Sequence, residues 1–346
     1  MSYKNLLLHK KIKNITSINF TNNIITDNVN ININDKNYNN DDNLKKFIYV
    51  NTNKSGIGDR LLDIMLIYTY SKYLKCDKIY LCWHEDNKDM VFADNIYANM
   101  RKIKTPFREK DYLLKNLLNF ITLPSDIIFV DSQKINNFSN DNNTILFTQY
   151  MGVSYSVYTF IDTFLPDISE IDKNEFIKNY FDNFNLIAFK NIPEYIVDKF
   201  NNNDIVTIHL RRGDKIIDDN GTSNNINIKY LDELNLLTEN FINKCINLGY
   251  KNICIVSDEK KIRNDYCEKF KEVCNIIYFD GDDISQTYYD LYCIANSKKI
   301  LLSQIFSTFS ILGSLINCNN LYYLYNSGLF IAFNKYKNII YHEELN

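Results

Sequence analysis

Little of this sequence is proline or glycine: four and nine residues among 346. Asn, Ile, Lys and Tyr are overused in their place, all residues with AT-rich codons, so the bias is one of coding. It inflates chance Asn-X-Ser/Thr matches (Asn14-Ile-Thr16, Asn19-Phe-Thr21, Asn220-Gly-Thr222), which therefore carry no weight as glycosylation sites. No apolar run approaches the roughly 20 residues that a membrane-crossing helix needs. The opening MSYKNLLLHKKIKN has too short an apolar stretch for a secretory signal. Eight cysteines (76, 82, 245, 254, 267, 274, 293, 318) are scattered, several inside apolar runs, and no Cys-x-x-Cys occurs. That excludes a disulfide framework or a zinc site and predicts reduced, buried thiols. Nor is one charge in excess: 39 Lys+Arg against 42 Asp+Glu leave a net charge of −3. Nothing draws the whole chain to nucleic acid or anionic lipid, so any bound anion must be held by a local cluster. These absences predict a soluble, cytoplasmic protein with no integral membrane segment and no nucleic-acid partner.

What is present suits a large folded chain. The apolar share of 45% and aromatic share of 14% are ample for packed cores, and the length predicts two domains. Residues 1–45 form an Asn- and Asp-rich arm with "NNDDN" at 40–44. An N-terminal α/β domain is expected over 46–194 and a C-terminal doubly wound domain over 195–346, with no internal repeat. FIYV, a glycine-bearing turn, the helical pattern RLLDIMLIYTYSKYL and the strand DKIYLCW read as a β-α-β unit. In the middle, DYLLKNLLNFI reads as helix and DIIFV and TILFTQYM as strands. From Asp204, strands DIVTIHL, NICIVS, NIIYF and KILLS alternate with helical stretches near 229–247, 259–272 and 285–297, and a helix at 307–317 leads to LYYLY. Apolar strands with helical crossovers predict a parallel sheet covered on both faces. The fold class is thus α/β, two Rossmann-type domains facing a cleft, with ligands at the carboxyl ends of the strands.

The stretch TIHLRRGDK (207–215) puts His209, Arg211, Arg212, Gly213 and Asp214 where a buried strand runs out. A guanidinium offers phosphate oxygens permanent charge and a fixed fork of donors. Gly213 permits a tight turn and close backbone approach, and Asp214 can hold one arginine in place. A surface salt bridge on a strand-end loop would use the same residues, but an arginine pair directly after a buried strand favours an anion site. Upstream, Gly56, Gly58, Asp59 and Arg60 make a strand-to-helix loop able to close on a ligand. Ser307, Thr308 and Ser310 read on their own as a helix N-cap cluster. A rival signal is NIIYFDGDD, where Asp280 and Asp282 end an apolar strand as the metal-binding carboxylates of a nucleotide-diphosphate enzyme would. A polar turn before a helix starting at 283–285 is the preferred explanation of the pair, because acidic turns are common. His9, His84 and His342 show no metal spacing.

H-x-R-R-G-D after an apolar strand resembles the first motif of the α1,2-, α1,6- and protein O-fucosyltransferases, which use GDP-fucose. In the same order, SGIGDRLLDI is similar to that family's glycine-bearing loop and IVSDE, with Asp258, to its Ser-Asp-Asp segment. YYDLYCIANSKKILLSQIFSTFSILGSLI is similar to its later motif, in which an Asp opens a helix and Ser-Thr-Phe-Ser opens another. The match spans about 54–318, is densest over 205–318 and is closest in pattern to the α1,2 enzymes. Ile311 and Leu312 stand where those enzymes carry tryptophans, Asp59 stands for an Asn, and Glu259 for the second Asp. The resemblance implies a GT-B-like architecture and inverting, metal-independent transfer of L-fucose from GDP-fucose to a glycan or glycoconjugate hydroxyl. It puts Arg211 on the donor β-phosphate, with Arg212 supporting the site's fold, Asp290 on the guanine edge, and Ser307, Thr308 and Ser310 at a phosphate-binding helix start. Asp219, beside Asp218, falls at the offset of a carboxylate in the α1,6 relatives that suits an acceptor base. Two alternatives stand beside it: a metal-dependent GT-A-type glycosyltransferase using Asp280 and Asp282, and a non-catalytic GDP-sugar-binding protein.

Overall fold

In β1 (Lys46–Asn51), Phe47 and Tyr49 face one way and Ile48 the other, and all three are fully buried. Such a strand can only lie inside a sheet covered on both faces. The computed structural model describes residues 44–51, 56–83, 114–130, 144–147, 157–211, 216–217, 226–227, 231–257, 259–282, 284–297, 300–303, 307–317, 320–325 and 328–333. The N-terminal arm therefore lies outside the described residues, apart from its last two positions.

β1 leads through α1 (Ile57–Tyr73) to β2 (Lys78–Trp83), which pairs with β1 in parallel. Further on come α2 (Leu114–Phe120), the short β3 (Ile121–Thr122), β4 (Ile127–Val130) and β5 (Thr144–Phe147). They complete a parallel sheet of order β4-β2-β1-β5. The chain then runs through α3 (Val157–Phe164) and α4 (Glu170–Asn183). Ser169 starts α4, its hydroxyl accepting the Asp172 N–H at 3.1 Å. β6 (Ala188–Phe189) returns to pair with β3, and α5 (Glu194–Asn201) follows.

The second sheet begins with β7 (Ile205–Leu210). A small parallel pair follows, β8 (Ile216–Ile217) with β9 (Ile226–Asn227). Then come α6 (Leu231–Asn247), β10 (Asn252–Ser257), α7 (Lys260–Phe270), β11 (Asn275–Ile277), α8 (Ser285–Ala295), β12 (Ile300–Ser303), α9 (Thr308–Asn317), β13 (Asn320–Tyr325) and β14 (Gly328–Phe333). The order is β11-β10-β7-β12-β13-β14. The chain winds outward from β7 to one edge, then crosses to β12 on the other side, so the topological switch point lies between β7 and β12. The chain has the GT-B-like layout of two Rossmann-type sheets. One expectation is corrected: the second sheet is not wholly parallel, because β14 pairs antiparallel with β13. Only positions 326 and 327 separate those strands, and so short a link permits no crossover. Among the described residues no helix is long and apolar enough to cross a membrane.

One apolar core joins the two sheets. It takes Phe47, Tyr49, Ile79 and Leu81 from the first and Ile205, Cys254, Val256 and Ile277 from the second, with α1, α4, α8 and α9 between them. The alternate residues Val206, Ile208, Ile253 and Ile255 face a separate core under α6 and α7. Two glycines make the central packing possible. A Cβ on Gly58 would lie 2.7 Å from the Phe309 nitrogen and 2.9 Å from the Phe309 Cα. A Cβ on Gly313 would overlap the Ile294 side chain of α8.

At Gly58 the obstructing atoms are backbone, which cannot swing aside. Gly58→Ala is therefore expected to lower stability by about 1–3 kcal/mol through overpacking. Gly56→Ala, with nothing within 4 Å of the new methyl, should stay within about 0.5 kcal/mol of the parent. Urea unfolding of the two variants checks this, and equal midpoints would contradict the close packing of α1 on α9.

Candidate functional site

The switch point is where an open α/β sheet leaves a crevice beyond its strand ends, and the predicted residues gather there. Strand alternation sets the first contacts. Ile205, Thr207 and His209 share the face of β7 that looks toward α8 and α9. Thr207 donates its hydroxyl to the Cys293 carbonyl of α8 at 3.0 Å and its N–H to the Ser297 hydroxyl at 2.9 Å. His209, 7% exposed, has Nδ1 2.8 Å from the Ser310 hydroxyl, and its ring lies 5.8 Å from that of Phe309. Arg211 lies just past the strand end, half-buried. The strand end is itself anchored, since the Leu210 carbonyl accepts the Ser257 hydroxyl at 2.8 Å.

The start of α9 supplies the other wall. Ser307 stands at the N-cap position, its carbonyl accepting the Ile311 N–H at 3.0 Å. Its side chain is 2% exposed, and its Oγ is buried without a hydrogen-bond partner among the described residues. A buried hydroxyl left unsatisfied is costly, and here it sits where the first N–H groups of a helix also lack partners. Thr308 is half-buried and Ser310 fully buried. The Gly58 contact brings the first turn of α1 onto the same point. Two helix N-termini, each with partial positive charge, thus meet beside the strand end that carries Arg211. Such a place suits a multiply charged anion.

Other predicted residues fall differently. Gly56 precedes α1, but Gly58, Asp59 and Arg60 are not a loop: they form the first turn of that helix. Arg60 is 1% exposed and lies within the α1 packing rather than free to close on a ligand. Asp290 does not open a helix. It lies midway along α8, half-buried, accepting at Oδ1 from Gln286 Nε2 at 2.8 Å. Arg212, Asp214, Asp219 and its neighbour Asp218, and Asp258 lie outside the described residues, as do His9, His84 and His342.

The rival acidic pair is taken up structurally. Asp280 pairs with Arg263 Nη2 at 2.9 Å and Lys260 Nζ at 3.2 Å. Asp282 Oδ1 accepts the Ile284 N–H at 3.0 Å, the Ser285 N–H at 2.7 Å and the Ser285 hydroxyl at 2.8 Å. That is a helix cap, so α8 starts at Ser285 because Asp282 satisfies its first donors. Among the described residues no three His, Cys, Asp or Glu side chains cluster as metal ligands. The described cysteines are free thiols, all buried except the half-buried Cys267. Burial pushes the Cys293 thiol well up, reinforced by its contact with Cys254 and the nearby Asp290 charge, which keeps it protonated and unreactive.

Gln286 and Arg263 are site-supporting residues that sequence reading missed. Gln286 had a readable signal, lying four residues before Asp290, one helical turn away. Arg263, buried on α7 and bonded to the loop before α8, had none.

No family model and no curated protein matches this chain. Among solved structures, a mutant of Arabidopsis thaliana FUT1 in complex with GDP matches at 11% identity and a TM-score of 0.44, covering 82% of this chain and 70% of that one. POFUT1 in complex with GDP-fucose matches at 10% and 0.42, covering 81% and 96%. A family 9 glycosyl transferase from Veillonella parvula matches at 10% and 0.36, covering 81% of each chain. Likeness at this level carries no argument about chemistry, so the functional reading rests on the residues at the switch point.

Proposed function

We propose that this protein is a glycosyltransferase that moves L-fucose from GDP-fucose to a glycan hydroxyl, with inversion and without a metal ion. The observation that carries the reading is the meeting of the α1 and α9 N-termini beside the end of β7, where Arg211 follows His209 and the buried Ser307 hydroxyl has no partner among the described residues. A nucleotide diphosphate supplies the oxygens that such a place is built to accept. The resemblance of HLRRGD and the Ser307–Ser310 stretch to GDP-fucose enzymes supplies the sugar and the base.

In the proposed reaction, the acceptor oxygen bonds to C1 of the β-linked fucosyl group as the C1–O bond to phosphate breaks. GDP leaves with the electron pair, the acceptor proton passes to a base, and the product is α-linked. Positive charge grows on the sugar and negative charge on the diphosphate. In this reading Arg211 and the N–H groups of α9 stabilise that leaving group, the kind of preorganised contribution that is the largest in many enzymes. Asp290 accepts from the guanine edge, a contact uracil cannot return. Asp219 is the proposed base. The metal-dependent alternative is weakened because Asp280 and Asp282 are already committed to an ion pair and a helix cap.

Calorimetry in chelator should show GDP and GDP-fucose binding to the wild type, with UDP silent. Arg211→Ala should lose about 2–5 kcal/mol, enough to abolish micromolar binding. Binding seen only with added Mn²⁺, or equal binding of UDP, would overturn the reading. Asp282→Ala separates the metal-dependent alternative. Loss of the cap should cost about 1 kcal/mol of stability while transfer of fucose stays chelator-resistant. A collapse of turnover in a folded variant would point to the acidic pair instead.

A further inference from the structure

Gln286 lies in the first turn of α8, and every hydrogen-bonding capacity of its side-chain amide that the surroundings can use is engaged. Oε1 accepts the Gly281 N–H at 2.7 Å. Nε2 donates to the Phe279 carbonyl at 3.1 Å and to Asp290 Oδ1 at 2.8 Å. Its orientation is fixed by chemistry: a backbone N–H can only donate, so the oxygen must face Gly281, and the two amide hydrogens are left for a carbonyl and a carboxylate, which can only accept. The amide joins the loop before α8 to the carboxylate one turn into the helix.

That loop is itself firmly held. Arg263 Nη1 donates to the same Phe279 carbonyl at 3.2 Å while Nη2 pairs with Asp280 at 2.9 Å. Asp282 caps the helix through Ser285. Gly281 sits so close that a Cβ there would lie 2.7 Å from both the Gln286 nitrogen and the Ser285 hydroxyl. One oxygen of Asp290 is therefore tethered to a braced loop, which sets the plane of the carboxylate. An untethered aspartate on a helix would be free to rotate about its side-chain bonds.

We propose that Gln286 is a positioning residue for base recognition: it orients the Asp290 carboxylate toward the N1–H and 2-amino group of a guanine. The inference rests on the reading of Asp290 as the guanine contact. It makes the selectivity for guanine depend on a residue that does not touch the nucleotide.

The test compares GDP with inosine diphosphate, which keeps N1–H but lacks the 2-amino group, by calorimetry on the full chain. Wild type, Asp290→Ala, Gln286→Leu and Gln286→Glu are measured at a pH where both carboxylates are ionised. A general loosening of the fold weakens both ligands alike and leaves their ratio unchanged, whereas misorientation of Asp290 lowers the ratio. Gln286→Leu should reduce the GDP preference about tenfold, the scale of one hydrogen bond to a charged group, with inosine diphosphate affinity much less affected. Gln286→Glu keeps the length of the side chain and an acceptor for Gly281 but cannot donate to Asp290. It should lose the same preference and so covers the case in which the leucine variant does not fold. If Asp290→Ala loses the preference and neither Gln286 variant does, Gln286 is only structural and the proposal falls while the guanine reading stands. If Asp290→Ala keeps the preference, the guanine reading itself fails and the proposal with it.

Discussion

Gly58 has no side chain, and the backbone of Thr308 and Phe309 fills the place where one would be. On that contact depends the joining of a helix that follows a strand of the first sheet to one that follows a strand of the second. Each brings partial positive charge to its N-terminus, so two like-signed ends are held side by side by the apolar packing behind them. Arg211, one residue past β7, adds a full charge nearby. Asp59, in the first turn of α1, sets a carboxylate beside one of these ends. The packing contributes the free energy that keeps the arrangement in place.

The shared core explains how the contact survives. Residues of both sheets and of seven helices enter one cluster, and the repulsion between two half-charges at helix ends is small beside the burial of so many large apolar side chains. The polar links run through the same region. Asn183 of α4 donates to the Thr69 hydroxyl of α1 at 2.9 Å, and Thr207 and His209 tie β7 to α8 and α9. Sheet, helices and site residues are placed by one set of contacts.

Much of this was legible in the sequence. The apolar strands near 47, 79, 205, 253 and 300 declared themselves by continuous apolar runs, and the Ser-Thr-Phe-Ser stretch by its hydroxyls before an apolar helix. His209 and Arg211 followed from their place at a strand end. What could not be read was fixed by distant parts of the chain. Nothing local says that Arg60, a charged residue after a glycine pair, lies inside the packing. The helix expected near 285–297 is there, capped by Asp282 while Asp280 pairs with Arg263 and Lys260. That helix already contained position 290, so only the resemblance had placed Asp290 at a helix start. The antiparallel β14 was missed although the apolar runs LYYLY and GLFIAF flank a two-residue link, a hairpin signal that was passed over.

The shared core has a consequence for how the protein is lost rather than how it works. Where each half owns its core, one can open while the other stands, leaving a partly folded species for proteases to trim. Here Ile205, Val256 and Leu291 lean on the same cluster as Phe47, Leu61 and Met65, so opening either half strips the other of its support. Cooperative units of this kind open nearly as a whole. Degradation should then take molecules one at a time and entire, leaving no surviving fragment.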